Sequence, residues 1–234
     1  MTRSPTNPAS RERLLEVATE VFADQGFRNS RVREICRRAE ANVAAVNYHF
    51  GDKQGLYEEV LSRAFSSMTG GDPTDLGVDD DAPPAVRLRA FITGVLAALL
   101  DEGRGAGHAR LVAREMVDPT DALNRVVDEG IRPQLQTVLP ALRELLGPHA
   151  DSELVRRCAS SVVGQCLFYH FGRPAIVQLQ LEESLGQEKI EALASHITAF
   201  SLAALEQLAR QVHTHGERRV SKARTRGGHT RSKS

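Results

Sequence analysis

The chain has 234 residues, and its 30 lysines and arginines balance 30 aspartates and glutamates, so the formal net charge is zero. An apolar content of 41% is enough to build a core and excludes a wholly disordered chain. The longest uncharged apolar run, Phe91 to Leu100, is about half the roughly 20 residues that a membrane helix needs. Because the N-terminus also lacks the apolar segment of a secretory signal, we expect a cytoplasmic protein without a membrane span.

The neutral total is a sum over segments of opposite charge. Residues 213–234 contain seven basic residues and one acidic residue, and Arg28 to Lys53 contains six basic and three acidic residues. In contrast, Asp72 to Asp81 contains five aspartates and no basic residue. A zero net charge with this distribution does not exclude nucleic-acid binding.

Helical periodicity appears four times in the first 68 residues, with apolar side chains repeating every three or four positions. Ser10 and Ser30 are the expected N-caps of the first two helices, and Gly26 is the expected left-handed end of the first. A break at Glu40 to Asn42 separates the second helix from the third. The predicted helices cover 11–25, the segment from Ser30 to Ala39, 43–50 and 53–68.

Longer helices are predicted beyond an acidic linker at 70–84, and no segment alternates like a strand. The longest, 120–146, contains Pro133 and Pro140, so we expect kinks or breaks there. The basic segment after residue 212 is predicted to be disordered. It either adds phosphate contacts or is a solvated appendage. The helices are predicted over 85–100, 108–117, 120–146, 152–171 and 188–212.

The second and third helices, joined by a tight turn, fit a helix-turn-helix. The third helix begins with small residues that let its backbone approach base edges, and Asn47 suits adenine. Arg31 and Arg33 lie at the start of the second helix, where free N–H groups also favour phosphate. Tyr48, His49 and Lys53 are predicted to clamp phosphates. The candidate DNA contacts are Arg31, Arg33, Asn42, Val43, Ala44, Ala45, Asn47, Tyr48, His49 and Lys53.

Residues 10–61 resemble the DNA-binding domain of TetR-family transcriptional regulators. The matching stretch is SRERLLEVATEVFADQGFRNSRVREICRRAEANVAAVNYHFGDKQGLYEEVL, and its N-Y-H-F-G-D-K-Q-G-L-Y ending carries the family's aromatic–His–aromatic pattern followed by Lys. Two positions depart from the pattern. Glu40 and Ala41 stand where the family usually has Gly–Val, and Asn47 stands where it usually has Tyr, so the family's base contact is not transferred to Asn47.

The resemblance implies an all-α homodimer, with a helix-turn-helix domain and a larger C-terminal domain for ligand binding and dimerisation. The expected division is a flexible N-terminus at 1–9, the DNA-binding domain at 10–55, the C-terminal domain at 56–212 and the tail at 213–234. Helices 152–171 and 188–212 would pair with those of the partner. The segments AREMVDPTDALN and SVVGQCLFY further resemble the CecR-like branch, which implies control of transport, efflux or stress genes.

The implied function is that of a ligand-responsive regulator, expected to be a repressor, that a small molecule releases from a palindromic operator. Polar residues on the C-terminal helices are the candidate effector contacts. They are His108, Arg114, Glu115, Gln165, Tyr169 and His170. The alternative is a helical dimeric adaptor without sequence-specific DNA binding.

An enzyme is not expected, because the glycines at 103, 105 and 107 lack the lysine and the preceding strand of a phosphate loop, and no nucleophile or metal motif occurs. No cofactor is expected. The three cysteines are odd in number and lack C-x-x-C spacing, so they are predicted to be buried thiols in a reducing compartment.

Overall fold

The computed structural model describes residues 8–68, 77–100, 106–181 and 186–227. Every regular element in these residues is a helix, which confirms the predicted all-α class. None of these helices is long and apolar enough to cross a membrane. The α-helices are α1 (Pro8–Asn29), α2 (Val32–Arg38), α3 (Val43–Phe50), α4 (Lys53–Met68), α5 (Pro84–Leu100), α6 (Ala106–Val117), α7 (Ala122–Val126), α8 (Arg132–Leu146), α9 (Ser152–Phe171), α10 (Arg173–Gln178) and α11 (Ile190–Gly227).

The chain divides into two compact units. Unit 1 comprises residues 1–75 and 97–134, and unit 2 comprises residues 76–96 and 135–234. In unit 1, α1, α4 and α6 pack against one another, and α2 and α3 lie against α1. One apolar cluster, from Leu14 to Val126, forms the core of this unit. The helix-turn-helix therefore shares a core with α4, α6 and α7, beyond the predicted 10–55 boundary.

Two predicted helix caps are wrong. Helix α1 begins at Pro8, so Ser10 lies inside its first turn. Proline is favoured at this position, because an N–H group in the first turn of a helix has no acceptor within the helix. The N-cap of α2 is Arg31, in an extended conformation, whereas the buried Ser30 donates its hydroxyl to the Phe27 carbonyl at 2.8 Å. Gly26 does interrupt α1, with φ of 76°.

The predicted break near Pro133 is confirmed. A π-helical turn, Val127–Ile131, connects α7 to α8 and ends two residues before this proline. Proline cannot donate to the carbonyl four residues earlier and its ring crowds that carbonyl, so the wider turn relieves the conflict. Pro140 does not end the helix, since α8 continues to Leu146.

The end of the chain differs from the prediction. Helix α11 continues to Gly227, past the end that the sequence predicts at residue 212, and the disorder of the tail stays a prediction. Arg, Lys and Ala are good helix formers, and extending a helix costs less than nucleating one. The rest of the predicted tail, 228–234, lies outside the described residues, as do 1–7 of the N-terminus and 70–76 of the linker. The sequence also did not predict the short helix α10.

Candidate nucleic-acid interface

The turn between α2 and α3 fixes the direction of α3. Glu40 has φ of 50°, a left-handed conformation that favours glycine, at the position where the sequence departs from the family's Gly. The Ala41 N–H then donates to the Cys36 carbonyl at 2.9 Å. Asn42 is the N-cap of α3, as predicted, because its side-chain oxygen accepts from the Ala44 N–H at 3.1 Å.

One face of α3 is buried and the other points to solvent. Val46 belongs to the core of unit 1, and so does Ala45, which is 2% exposed. The outward face consists of Val43, Ala44, Asn47 and Tyr48. Ala45 is therefore a correction to the predicted DNA contacts, because its methyl group packs inward and cannot meet a base edge.

The cations of α2 differ in whether a carboxylate already neutralises them. Arg38 is bound by Glu34 at 2.5 Å, one helical turn earlier. Within the described part of the chain, the exposed residues Arg31, Arg33 and Arg37 have no carboxylate within salt-bridge distance. Three guanidinium groups beside α3 are thus available to phosphates. Arg37 was missed by the sequence reading, although its place one turn after Arg33 was a signal for it.

Lys53 connects two parts of the helix-turn-helix. Its ammonium group donates to the carbonyls of Phe27 at 2.5 Å and Ser30 at 2.7 Å, and lies 4.5 Å from the centre of the Phe27 ring. Burial lowers the pKa of Lys53. Two of its three N–H bonds have partners, so this lysine fixes the end of α1 against α4. Its contact with a phosphate stays a prediction.

Tyr48 and His49, the other predicted clamps, differ in accessibility. Tyr48 is 64% exposed. The His49 Nε2 is buried and has no hydrogen-bond partner among the described residues. The Tyr48 side chain is therefore accessible to a phosphate, whereas the His49 Nε2 is inaccessible without rearrangement.

The six predicted effector contacts are divided between the two units. His108, Arg114 and Glu115 belong to unit 1, and Gln165, Tyr169 and His170 belong to unit 2. Glu115 is buried and bonded to protein groups. Burial lowers the pKa of His108, and Arg63 contributes to that shift. Its Nδ1 is buried with no hydrogen-bond partner in the described chain.

A groove of about 460 Å³ lies between α9 and α11 in unit 2. Gln165 and Tyr169 line it, as two of the predicted effector contacts. The Gln165 amide donates to the Ser201 hydroxyl at 3.2 Å. The remaining lining residues are Ser161, Gly164, Phe168, His196 and Ile197.

An exposed face without Asp, Glu, Lys or Arg runs along the same two helices. On α9 it contains Phe168, which is 55% exposed, and on α11 it contains Phe200, which is 63% exposed. Small residues surround these rings. The face consists of Ser160, Ser161, Gly164, Phe168 and Phe171 on α9, and of His196, Ala199, Phe200, Ala203, Ala204 and Gln207 on α11. We call it the α9–α11 face.

Two family models match the chain. The model described as bacterial regulatory proteins, tetR family, matches residues 14–60. The model described as the C-terminal domain of the HTH-type transcriptional dual regulator CecR matches residues 84–205, more than half of the chain.

Individual proteins agree with these models. The HTH-type transcriptional dual regulator CecR of Shigella flexneri is 21% identical over 199 residues, covering 81% of this chain and 88% of that protein. The HTH-type transcriptional repressor Rv3405c of Mycobacterium tuberculosis is 29% identical over 162 residues, covering 68% and 69%. A solved transcriptional regulator from Rhodococcus sp. Rha1 has a TM-score of 0.55 at 22% identity, covering 84% of this chain and 97% of that one. This last likeness concerns the fold.

Proposed function

The chain belongs to the TetR family of bacterial transcriptional regulators, with a CecR-type C-terminal domain, and we propose that it is a repressor that binds a palindromic operator as a homodimer and leaves it when a small molecule binds. The members of this family are DNA-binding regulators rather than enzymes. The proposed targets are transport, efflux or stress genes, as the CecR-like resemblance implies. Neighbouring genes that respond to deletion of this one would support that assignment.

One observation supports the proposal most. An uncharged outward face on α3 lies beside guanidinium groups of α2 that no carboxylate of the described residues neutralises. The small side chains Val43 and Ala44 let the helix approach the base edges, where Asn47 has the amide that pairs with adenine. Arg33 and Arg37 supply sequence-independent affinity for phosphate. A dimeric adaptor that does not bind DNA would not need either the uncharged face of α3 or these guanidinium groups.

A salt titration with matched arginine variants tests this interface. The probe is a palindromic duplex that the wild-type protein selects from a random library. Arg33→Ala is expected to weaken binding and to lower the slope of log affinity against log salt by about one, since about one phosphate contact is lost. Arg38→Ala is the control, because Glu34 already neutralises that guanidinium. Equal slopes in both variants would contradict the proposed role of Arg33.

Base reading is tested separately from phosphate binding. Asn47→Ala is expected to cost about 1–3 kcal/mol on the selected duplex and to relax the preference at one base pair of each half-site. Its salt slope is expected to stay that of the wild type. A uniform loss over all sequences would contradict direct base reading by Asn47.

The proposed dimer forms through the α9–α11 face. Monomeric proteins rarely expose a large uncharged face with aromatic side chains, and small residues such as Gly164 and Ala203 allow helices to pack closely. Phe200→Glu is expected to shift the protein from dimer to monomer in light scattering. Leu179→Glu is the matched control, because Leu179 is 67% exposed but lies outside both helices. A dimer that survives Phe200→Glu at micromolar concentration would contradict this interface.

The proposed effector site is the groove between α9 and α11. Because Ser161, Gly164, Phe168 and His196 line this groove and also belong to the α9–α11 face, a molecule bound there lies at the proposed dimer interface. Its mixture of aromatic rings with the Gln165 amide suits an organic molecule with one polar group. Compounds that weaken operator binding would be found by screening toxic organic molecules against the protein–duplex complex. Tyr169→Ala is expected to weaken the response to such a compound while operator binding without it is unchanged. A full response in that variant would place the effector elsewhere.

A further inference from the structure

Helix α6 carries two adjacent charged side chains, Arg114 and Glu115, that have partners in the helix-turn-helix region of unit 1. The sequence had suggested them as effector contacts. In the structure, Arg114 reaches the end of α1 and Glu115 reaches α4. Both partners lie more than 55 positions away along the chain.

Glu115 is a buried acid with a complete set of partners. It is 1% exposed. One carboxylate oxygen accepts the Tyr57 hydroxyl at 2.7 Å, and the other accepts the N–H and the hydroxyl of Thr120 at 2.7 and 2.8 Å. A buried carboxylate is tolerated when it is hydrogen-bonded in this way. The contact is therefore specific in distance and direction, unlike an apolar one.

Tyr57 connects this carboxylate to the core of the helix-turn-helix. Its ring is 4.8 Å from the centres of both Phe22 and Phe27, at the end of α1. The Lys53 ammonium group lies over the Phe27 ring, as described above. Burial and the bond to Glu115 both raise the pKa of the Tyr57 hydroxyl, so it stays protonated and donates.

Arg114 holds the same end of α1 from the other side. Its guanidinium donates to the carbonyls of Asp24 at 3.2 Å and Ala23 at 3.4 Å. These carbonyls lie beside Gly26, where the helical hydrogen bonding of α1 is interrupted. A Cβ at Gly26 would come within 2.7 Å of the Arg114 Nε, so this glycine provides the space for the contact as well as the positive φ.

We propose that Arg114 and Glu115 are positioning residues that set the orientation of α1 and α4, and with them the recognition helix α3, relative to α6. The elements connect directly, since α3 packs against both α1 and α4. This inference rests on the proposed dimeric operator binding, because two recognition helices must match the separation of two half-sites. A change in orientation therefore alters which separation is preferred, although neither residue touches DNA.

The test measures the affinity of the protein for duplexes that differ in the separation of their two half-sites, in the absence of an effector. The probes are the selected palindrome and derivatives with one or two base pairs added or removed at its centre. The wild type is expected to bind the original at least tenfold more tightly than its neighbours in the series. Tyr57→Phe, which removes only the hydroxyl, is expected to lower affinity for the original about tenfold and to flatten or shift the profile. Arg114→Met, which keeps length and loses the donors, is expected to act in the same direction.

The control separates positioning from general stability. Val126→Ala removes buried apolar contacts in the same core without touching either hydrogen bond. It is expected to lower the melting temperature but to keep the separation profile of the wild type. If Tyr57→Phe is too unstable to measure, Glu115→Gln provides the same test, since it keeps size and one acceptor oxygen.

The outcomes discriminate between the two proposals. Folded Tyr57→Phe and Arg114→Met proteins with the affinity and profile of the wild type would overturn the positioning role and leave operator binding intact. A wild-type protein that binds duplexes regardless of half-site separation would overturn the two-half-site mode of binding, and the positioning proposal with it.

Discussion

Glu40 carries a backbone cost that a single substitution removes. Its φ of 50° is left-handed, and a residue with a Cβ pays about 1–2 kcal/mol for that conformation. Glycine avoids this cost but loses about 0.5–1 kcal/mol through the greater freedom of the unfolded chain. The side chain also forms an ion pair with Arg13 at 2.9 Å. Because both partners are exposed, this pair contributes about 0–1 kcal/mol.

Comparing Glu40→Gly with Glu40→Ala isolates the backbone term. Both variants lose the ion pair, and they differ only in the Cβ. We expect the glycine variant to be more stable than the alanine variant by about 0.5–1 kcal/mol, which is the strain relieved minus the added entropy. In a chain of this size the difference corresponds to roughly 1–4 °C in melting temperature. Against the wild type, the glycine variant is expected to be close to neutral.

Urea unfolding followed by circular dichroism measures this difference. Equal slopes in the two variants would show that the midpoints can be compared directly. A glycine variant that is no more stable than the alanine variant would refute the claim that residue 40 is strained. Operator affinity is expected to be retained in both, because Asn42 still caps α3.

Three further results are expected. Gly130→Ala should destabilise the protein by about 1–3 kcal/mol in urea unfolding, because the added Cβ would lie 2.4 Å from the Phe65 ring; a neutral effect would mean that the ring moves freely. Burial lowers the pKa of His108, so the unfolded chain binds this proton at a higher pH than the folded chain does. The free energy of unfolding should therefore fall as the pH drops below about 6.5, and His108 should contribute no pH dependence above that value. The same titration of His108→Gln should lack this component. All three cysteines are buried and burial raises their pKa values, so a thiol reagent should label them slowly in native protein and label three per chain in denaturant; fast native labelling would contradict their burial.

Helix positions could be predicted from the sequence because apolar spacing is a local signal. Helix ends were less predictable, since Ser30 looks like a cap by residue type but the backbone places Arg31 at that point. The inward direction of Ala45 was available from the helical period, as Val46 and Ala45 oppose Asn47 and Tyr48. The prediction used the small size of Ala45 and did not consider the direction of its side chain.

The two charged residues of α6 show why residue type alone does not identify effector contacts. A charged pair inside an apolar helix indicates that the charges need partners, and it does not say which partners. Glu115 finds Tyr57 and Arg114 finds the Asp24 carbonyl only because the fold brings α6 to α1 and α4. Ligand binding and internal hydrogen bonding both require polar side chains at such positions. Only the tertiary structure shows which of the two roles a given side chain has.

Salt acts differently on the two kinds of charge in unit 1, and this makes the proposed titrations interpretable. The ion pairs that join α1 to α4, such as Arg11 with Glu59 and Arg63 with Glu12, are partly exposed and contribute little each. The apolar core that these helices share is not weakened by screening. Added salt therefore leaves the helix-turn-helix folded while it competes for phosphates with Arg33 and its neighbours. A steep loss of DNA affinity with salt, at constant helical circular dichroism, consequently reports phosphate contacts rather than unfolding of the domain that makes them.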